Sequence, residues 1–285
     1  MLINNHLLVS GAEHFRDGFA INAYMDDSVP VNIEEAKAEH EAIRHALQQA
    51  GVKVTQVDPP RGCQDGVYTA NWGLCRGDTV VLSVLPNKRQ AEEPYAADVL
   101  SSLGKRLVYI PEGLKFSGQG DALPCGDYLF AGSHYRTDAK IHDFLARELG
   151  FNVISLQAMP SVDESGHPVI NSVTGWADSF FYDIDLALAV ISPKLIAWCP
   201  EAFTAESQAK IRALDDLEKI EVSYAEATKG FACNLVSTGE TVIMSANAPQ
   251  LQKDLETRGL KTVTPEITEL GKGGGYIRCT TLTLD

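Results

Sequence analysis

The sequence predicts an α/β fold, and three observations carry that expectation. Short apolar or β-branched runs alternate with helix-like stretches along the whole chain. Each helix-like stretch closes on a glycine or a turn. No Pro/Gly/Ser-rich linker or low-complexity tract interrupts the alternation, which favours a single domain over residues 1–285. A chain of 285 residues can bury a large core, and closed α/β folds of this length often form one domain.

Taken in order, the strand candidates are VKVTQV at 52–57, TVVLSV at 79–84, RLVYI at 106–110, YLFAG at 128–132 and NVISL at 152–156. They continue with LALAVI at 186–191, KLIAW at 194–198, KIEVSY at 219–224, TVIMSA at 241–246 and KTVTP at 261–265. Between them IEEAKAEHEAIRHALQQAG ends on Gly51 and TDAKIHDFLARELG on Gly150, and TAESQAKIRALDD and APQLQKDLETRG read as further helices. The rhythm of strand, strand, helix, strand suggests repeated units.

Composition narrows the function. With 45% hydrophobic and 22% charged residues and no apolar stretch long enough to span a bilayer, no membrane association is expected. The opening MLINNHLLVSGAEHF lacks a basic region, a long apolar core and a small-residue cleavage site, so a cytoplasmic location is expected. A formal net charge of −14 opposes nucleic-acid binding and suits a cationic small-molecule substrate. Cys63, Cys75, Cys125, Cys199, Cys233 and Cys279 form no CxxC pair, which argues against a zinc knuckle and a disulfide framework. No metal and no cofactor are expected: phosphate-loop and dinucleotide motifs are absent, and Asp183 and Asp185 lack clustered His or Cys ligands.

Four segments can carry chemistry. The carboxyl-terminal GKGGGYIRCTTLTLD sets three glycines four to six residues ahead of Cys279, and a cysteine at the mouth of such a loop can meet a substrate. A glycine-rich turn leading to a buried cysteine is the alternative. CQDGVYTANWGL places Asp65 and Asn71 six residues apart around an extended VYTAN, where a carboxylate and an amide could hold a planar cation. An Asp-Gly turn with a capping Asn is the other reading. FSGQGDALPCGDYLFAGSHYRTD carries Ser117 and Asp121 in a glycine-rich loop, then a strand, then Arg136 and Asp138 at a helix start. Asp138 there can cap the helix, and Arg136 can be a surface charge or a bidentate binder of a substrate carboxylate. In DSFFYDIDLALAV, Asp183 and Asp185 would share a face if extended, explained equally by a turn or a cation site.

Together and in this order these segments resemble the guanidine-modifying superfamily: dimethylarginine dimethylaminohydrolases, arginine deiminases, arginine dihydrolases and amidinotransferases. The likeness runs through FRDGFAINAYM, DGVYTANWGL, GxGDAL with its RTD, FYDIDLA, FACNLV and GGGYIRC. It implies a five-module α/β propeller (pentein) with pseudo-fivefold symmetry. It also implies that Cys279 attacks a guanidino carbon to form a covalent thiouronium intermediate. Asn71, Asp185 and Asp65 match groups that hold the guanidinium, and Arg136 matches the group that binds a substrate carboxylate.

Two positions depart from the family pattern. FSGQGDAL has Ser117 where the family usually has glutamate, and FYDIDL has Asp183 where it has the acid/base histidine; no histidine follows His167. An ordinary aspartate is ionised near neutrality, but crowding against Asp185 can raise one pKa and make Asp183 a usable acid/base. His134 is a second candidate to reach the site from the adjacent loop. The expected function is thus a cysteine-dependent C–N hydrolase of an arginine-like guanidino compound. Amidino transfer to an amine and a noncatalytic guanidine-binding descendant are the alternatives, and a homodimer is left open.

Overall fold

The computed structural model describes residues 3–16, 18–26 and 28–285. Asp17, within the FRDGFAINAYM motif, lies outside the described residues. In chain order the elements begin with β1 (His6–Val9), α1 (Ile33–Gln49) and β2 (Lys53–Gln56). A second group is β3 (Gly73–Arg76), β4 (Thr79–Leu82), α2 (Glu92–Ser102) and β5 (Arg106–Val108). A third is β6 (Ala122–Cys125), β7 (Tyr128–Ala131), α3 (Ile141–Leu149) and β8 (Asn152–Ser155). Then come β9 (Leu188–Ser192), β10 (Leu195–Trp198), α4 (Ala205–Arg212) and β11 (Glu218–Glu221), followed by a connecting α5 (Tyr224–Gly230). The last group is β12 (Val236–Ser237), β13 (Thr241–Ile243), α6 (Pro249–Thr257) and β14 (Lys261–Val263), and the chain ends on β15 (Leu282–Thr283).

Each group forms one three-stranded sheet, an antiparallel pair whose second strand is joined through a helix to a parallel third. The first sheet is completed from the far end of the chain: β15 pairs antiparallel with β1, Leu7 opposite Thr283 and Leu8 opposite Leu282. Five equivalent units therefore close on themselves, and the first strands of neighbouring units face one another around the centre. This is the propeller that the resemblance implied.

Local chemistry explains the helices. Asn32 caps α1 by accepting from the backbone N–H of Glu34 and Glu35, and those two acids complement the positive end of the helix. Its buried face is Ala36, Glu39, His40, Ile43, Ala46 and Leu47, spaced three and four apart, and Gly51 ends the segment at φ +85°. Truncating the fully buried Leu47 to Ala should cost about 2–5 kcal/mol.

Several boundaries differ from the expectation. The inner strands β3, β6 and β12 were not anticipated, because GLCR, ALPC and VS carry little β-branched signal and owe their pairing to neighbours. Pro124 is tolerated in β6 because that strand is paired on one side within its sheet. The run KIEVSY stops as a strand at Glu221: Ser223 accepts from Glu226 N–H and starts α5. The helix expected from Thr137 begins at Ile141, so Arg136 and Asp138 lie in the loop before it. Asp138 does not cap that helix through its side chain; its carboxylate accepts from Lys115 N–H at 2.8 Å.

Candidate active site

The ends of the inner strands organise the chemistry. Asn71 lies in a short 3-10 turn, Thr69–Trp72, immediately before β3, and Ser117 and Asp121 flank another, Gly118–Gly120, before β6. Asp183 and Asp185 occupy the turn leading to β9, Asn234 precedes β12, and Cys279 lies in the turn before β15. The pseudo-fivefold arrangement thus brings one polar turn from each unit to the same end of the axis. VYTAN is not a strand, so Asp65 and Asn71 are linked in another way. Buried Arg89 donates to Asn71 Oδ1 at 2.7 Å and to the backbone carbonyl of Asp65 at 3.2 Å, and Glu92 neutralises its charge at 2.8 Å.

The Cys279 thiol donates to Asp185 Oδ2 at 3.2 Å, and its sulfur accepts from Asn234 Nδ2 at 3.1 Å. Asn234 Oδ1 accepts from the N–H groups of both Tyr276 and Cys279, so one amide clamps the turn that carries Cys279. The three glycines let that turn pack closely. A Cβ on Gly273 would meet Tyr68 Oη at 2.2 Å, one on Gly275 would meet the Tyr68 ring at 2.5 Å, and Gly274 has φ +87°.

Asp183 faces elsewhere. Its Oδ2 accepts from Asn71 Nδ2 at 2.8 Å and lies 3.8 Å from Arg136 Nη1, while the same Asn71 nitrogen also donates to Ser117 Oγ at 3.0 Å. The Arg136 guanidinium stacks on the Tyr182 ring at 3.9 Å and donates to the Ile21 carbonyl at 3.1 Å. Asp183 and Asp185 therefore do not share one face: the turn Ile184–Leu186 sends the first carboxylate to Asn71 and the second to Cys279. Asp121 braces this turn from below, accepting from Ile184 N–H at 3.1 Å and lying against Gly132, where a Cβ would fall 1.8 Å from its oxygen. His134 is exposed with its ring on the Ser133 hydroxyl, away from the site.

Electrostatics follows burial. Desolvation, reinforced by the neighbouring Asp183 charge, pushes Asp185 up to about 8 and Asp121 well above the usual carboxylate range. Burial also pushes Asp65 up to about 6, against the pull of Arg89. The Cys279 thiol is raised by burial and by the adjacent Asp185 and Asp183 carboxylates. Asp65 Oδ1, Asp183 Oδ1 and Asp185 Oδ1 are buried without hydrogen-bond partners. Of the three, Asp65 lines a cavity of about 10 Å³, about one water, together with Asn71, Arg89, Arg136, Tyr182 and Cys279 among others. The segment bearing Ile21 and Asn22 covers it, tied down by Asn22 Nδ2 to the Gly273 carbonyl at 3.0 Å.

Residues 14–284 match the model of the eukaryotic N,N dimethylarginine dimethylhydrolase family. The chain belongs to this family. It is 33% identical over 274 residues to the N(G),N(G)-dimethylarginine dimethylaminohydrolase of Mycobacterium tuberculosis, covering 95% of this chain and 82% of that one. It is 30% identical over 279 residues to the bifunctional arginine dihydrolase/ornithine cyclodeaminase ArgZ of a Synechocystis species, covering 97% of this chain but 37% of that protein. In structure it is similar to a variant of the ArgZ N-terminal domain covalently bound to a reaction intermediate, with TM-score 0.86 at 28% identity over 98% of this chain and 97% of that one. Membership in the dimethylarginine dimethylhydrolase family makes this chain a guanidine-modifying hydrolase.

Two residues of the candidate site escaped the sequence reading. Asn234 sits in the FACNLV segment, whose place in the family motif order was its one signal. Arg89, in LPNKRQAEE, carries no local signature and is found only through its buried partners.

Proposed function

We propose that Cys279 hydrolyses a guanidino C–N bond of an arginine-like cation and that Asp185, rather than Asp183, moves the protons. The observation that carries this reading is the Asp185 carboxylate on the thiol, together with three buried carboxylate oxygens, on Asp65, Asp183 and Asp185, that have no partner. A guanidinium offers five N–H donors in one plane together with a positive charge to match these carboxylates. Asp65, Asp183 and Asp185 would hold it, Asn71 and Ser117 would fix Asp183, Asp121 would support the turn, and Arg136 would take the substrate carboxylate. The carboxylate of Asp183 beside Asn71 compensates for the one that Ser117 does not supply.

Binding of the cation lowers the proton affinity of the Cys279–Asp185 pair, and the thiol proton moves to Asp185 Oδ2. The thiolate attacks the guanidino carbon; Asp185 returns the proton to the departing nitrogen, the C–N bond breaks, and ammonia or an amine leaves a thiouronium on Sγ. Water then gives a proton to Asp185 and its oxygen to the carbon. As the C–S bond breaks and the carbonyl forms, Asp185 returns its proton to Sγ and the proton of the added hydroxyl passes to solvent, restoring the thiol and releasing a ureido product. Access requires the segment around Ile21 and Asn22 to move outward, because the closed cavity cannot hold a guanidino compound. Residues 1–285 act in this reading as one catalytic domain.

Mass spectrometry after incubation with a chloroacetamidine tests it. Selective labelling of Cys279, suppressed by L-arginine and accompanied by turnover of arginine or dimethylarginine to a ureido product, is the expected result. Labelling no faster than that of Cys63, with no product, would refute it. An amine acceptor in place of water would appear as a new guanidino product.

A further inference from the structure

The propeller has a second cavity. Most of the residues that line this cavity, of about 290 Å³, come from farther along the inner strands and just beyond them, while Gln119, Cys233 and Arg278 reach it from the turns that carry the catalytic groups. It is of small-ligand size. Leu123, Phe151, Leu188 and Leu235 make its walls apolar, and exposed Asn5 and Asp285 stand at its rim.

Two arginines face this space. Arg278 is buried, donating from Nη1 to Thr283 Oγ1 at 3.1 Å and from Nη2 to Gln119 Oε1 at 2.8 Å. Both partners are neutral, and among the described residues no carboxylate lies within ion-pair distance of Arg278 or Arg76. Arg76 lies over the Phe151 ring at 4.0 Å and donates to the Leu149 carbonyl. The one carboxylate side chain of the lining, Asp285, accepts from Asn5 N–H at 3.1 Å. The result is a cationic cavity in a chain of formal charge −14. Asp185 is felt by Arg278 through space but makes no ion pair with it; a buried guanidinium without a paired counterion is costly, and two hydrogen bonds leave several of its five donors free.

We propose that this cavity is a binding site for a small organic carboxylate with an apolar body, the carboxylate on Arg278 and the body against Leu123, Phe151 and Leu188. Its ligand is of opposite charge to the cation of the catalytic end, and its residues belong to none of the catalytic roles above.

Titration calorimetry of the full chain with hexanoate, hexanamide and acetate tests the proposal. Hexanoate should bind more tightly than both hexanamide, which lacks the charge, and acetate, which lacks the body. Arg278→Gln should weaken hexanoate about tenfold or more, as loss of a charge-assisted pair requires, while Arg136→Gln leaves it within about twofold. Gln119→Glu keeps Arg278 and places a carboxylate in its reach, so it should abolish binding even if Arg278→Gln fails to fold. No hexanoate binding, equal binding of hexanamide or acetate, unchanged affinity in Gln119→Glu, or loss through Arg136→Gln instead would each overturn the proposal.

Discussion

Replacing Asp185 with Asn should move two observables in opposite directions. In the native site the carboxylate stands 3.2 Å from the sulfur and helps to raise the thiol, while burial and Asp183 push Asp185 itself up to about 8. Removing that charge relieves the sulfur of an anionic neighbour whose hydrogen bond is worth about 1.5–3 kcal/mol. The midpoint of thiolate formation should therefore fall by about 1–2 pH units. Turnover should nevertheless drop by about 10²–10⁴, because no other group in contact with the sulfur can carry the proton. The assay is the pH dependence of Cys279 alkylation by a chloroacetamidine, read by peptide mass spectrometry, beside kcat on arginine or dimethylarginine at each pH. A midpoint that stays or rises, or a kcat within about tenfold of native, would refute the reasoning. A merely structural loss would lower both rates together.

Three further outcomes follow from the same geometry. Asn234→Ala strands the N–H groups of Tyr276 and Cys279, so urea unfolding should show a loss of about 2–5 kcal/mol; an unchanged midpoint would contradict the clamp. Asp183→His removes the carboxylate held by Asn71 and should raise KM about tenfold or more, and adding Ser117→Glu should recover it. A gain in kcat/KM from Asp183→His alone would show that the exchanged carboxylate plays no part in binding. Finally, Asp65 and Asp185 bind protons more tightly folded than unfolded, so their stabilising contribution is complete below about pH 4 and is lost as pH rises through about 6 and about 8. The melting temperature of the empty protein should fall between about pH 5 and pH 8.5, and saturating L-arginine should flatten that fall; a rise over the interval without ligand would oppose it.

Much of this protein is legible in one dimension. The apolar runs TVVLSV, YLFAG and KLIAW and the periodic face of α1 declare themselves because each buries a contiguous pattern. Cys279 is legible because GGGYIRC joins a nucleophile to a loop that only glycine can build against Tyr68. The inner strands are not legible, since GLCR and VS pair through their neighbours rather than through propensity.

The chemistry was decided at a higher level. The sequence does not say where the two acids of FYDIDL point, yet a three-residue turn aims Asp183 at Asn71 and Asp185 at the thiol, and burial raises the second to about 8. Arg89 and Asn234 bear no motif that names their partners, and His134, two residues from Arg136, ends in solvent because its backbone turns through φ +83°. Sequence alone determined the family and the alternation of elements and pointed to Cys279 as the candidate nucleophile, since these are local patterns. Only the closure of five units through β1 and β15 determined which carboxylate meets the sulfur, because pKa and contact depend on neighbours distant in the chain and close in space.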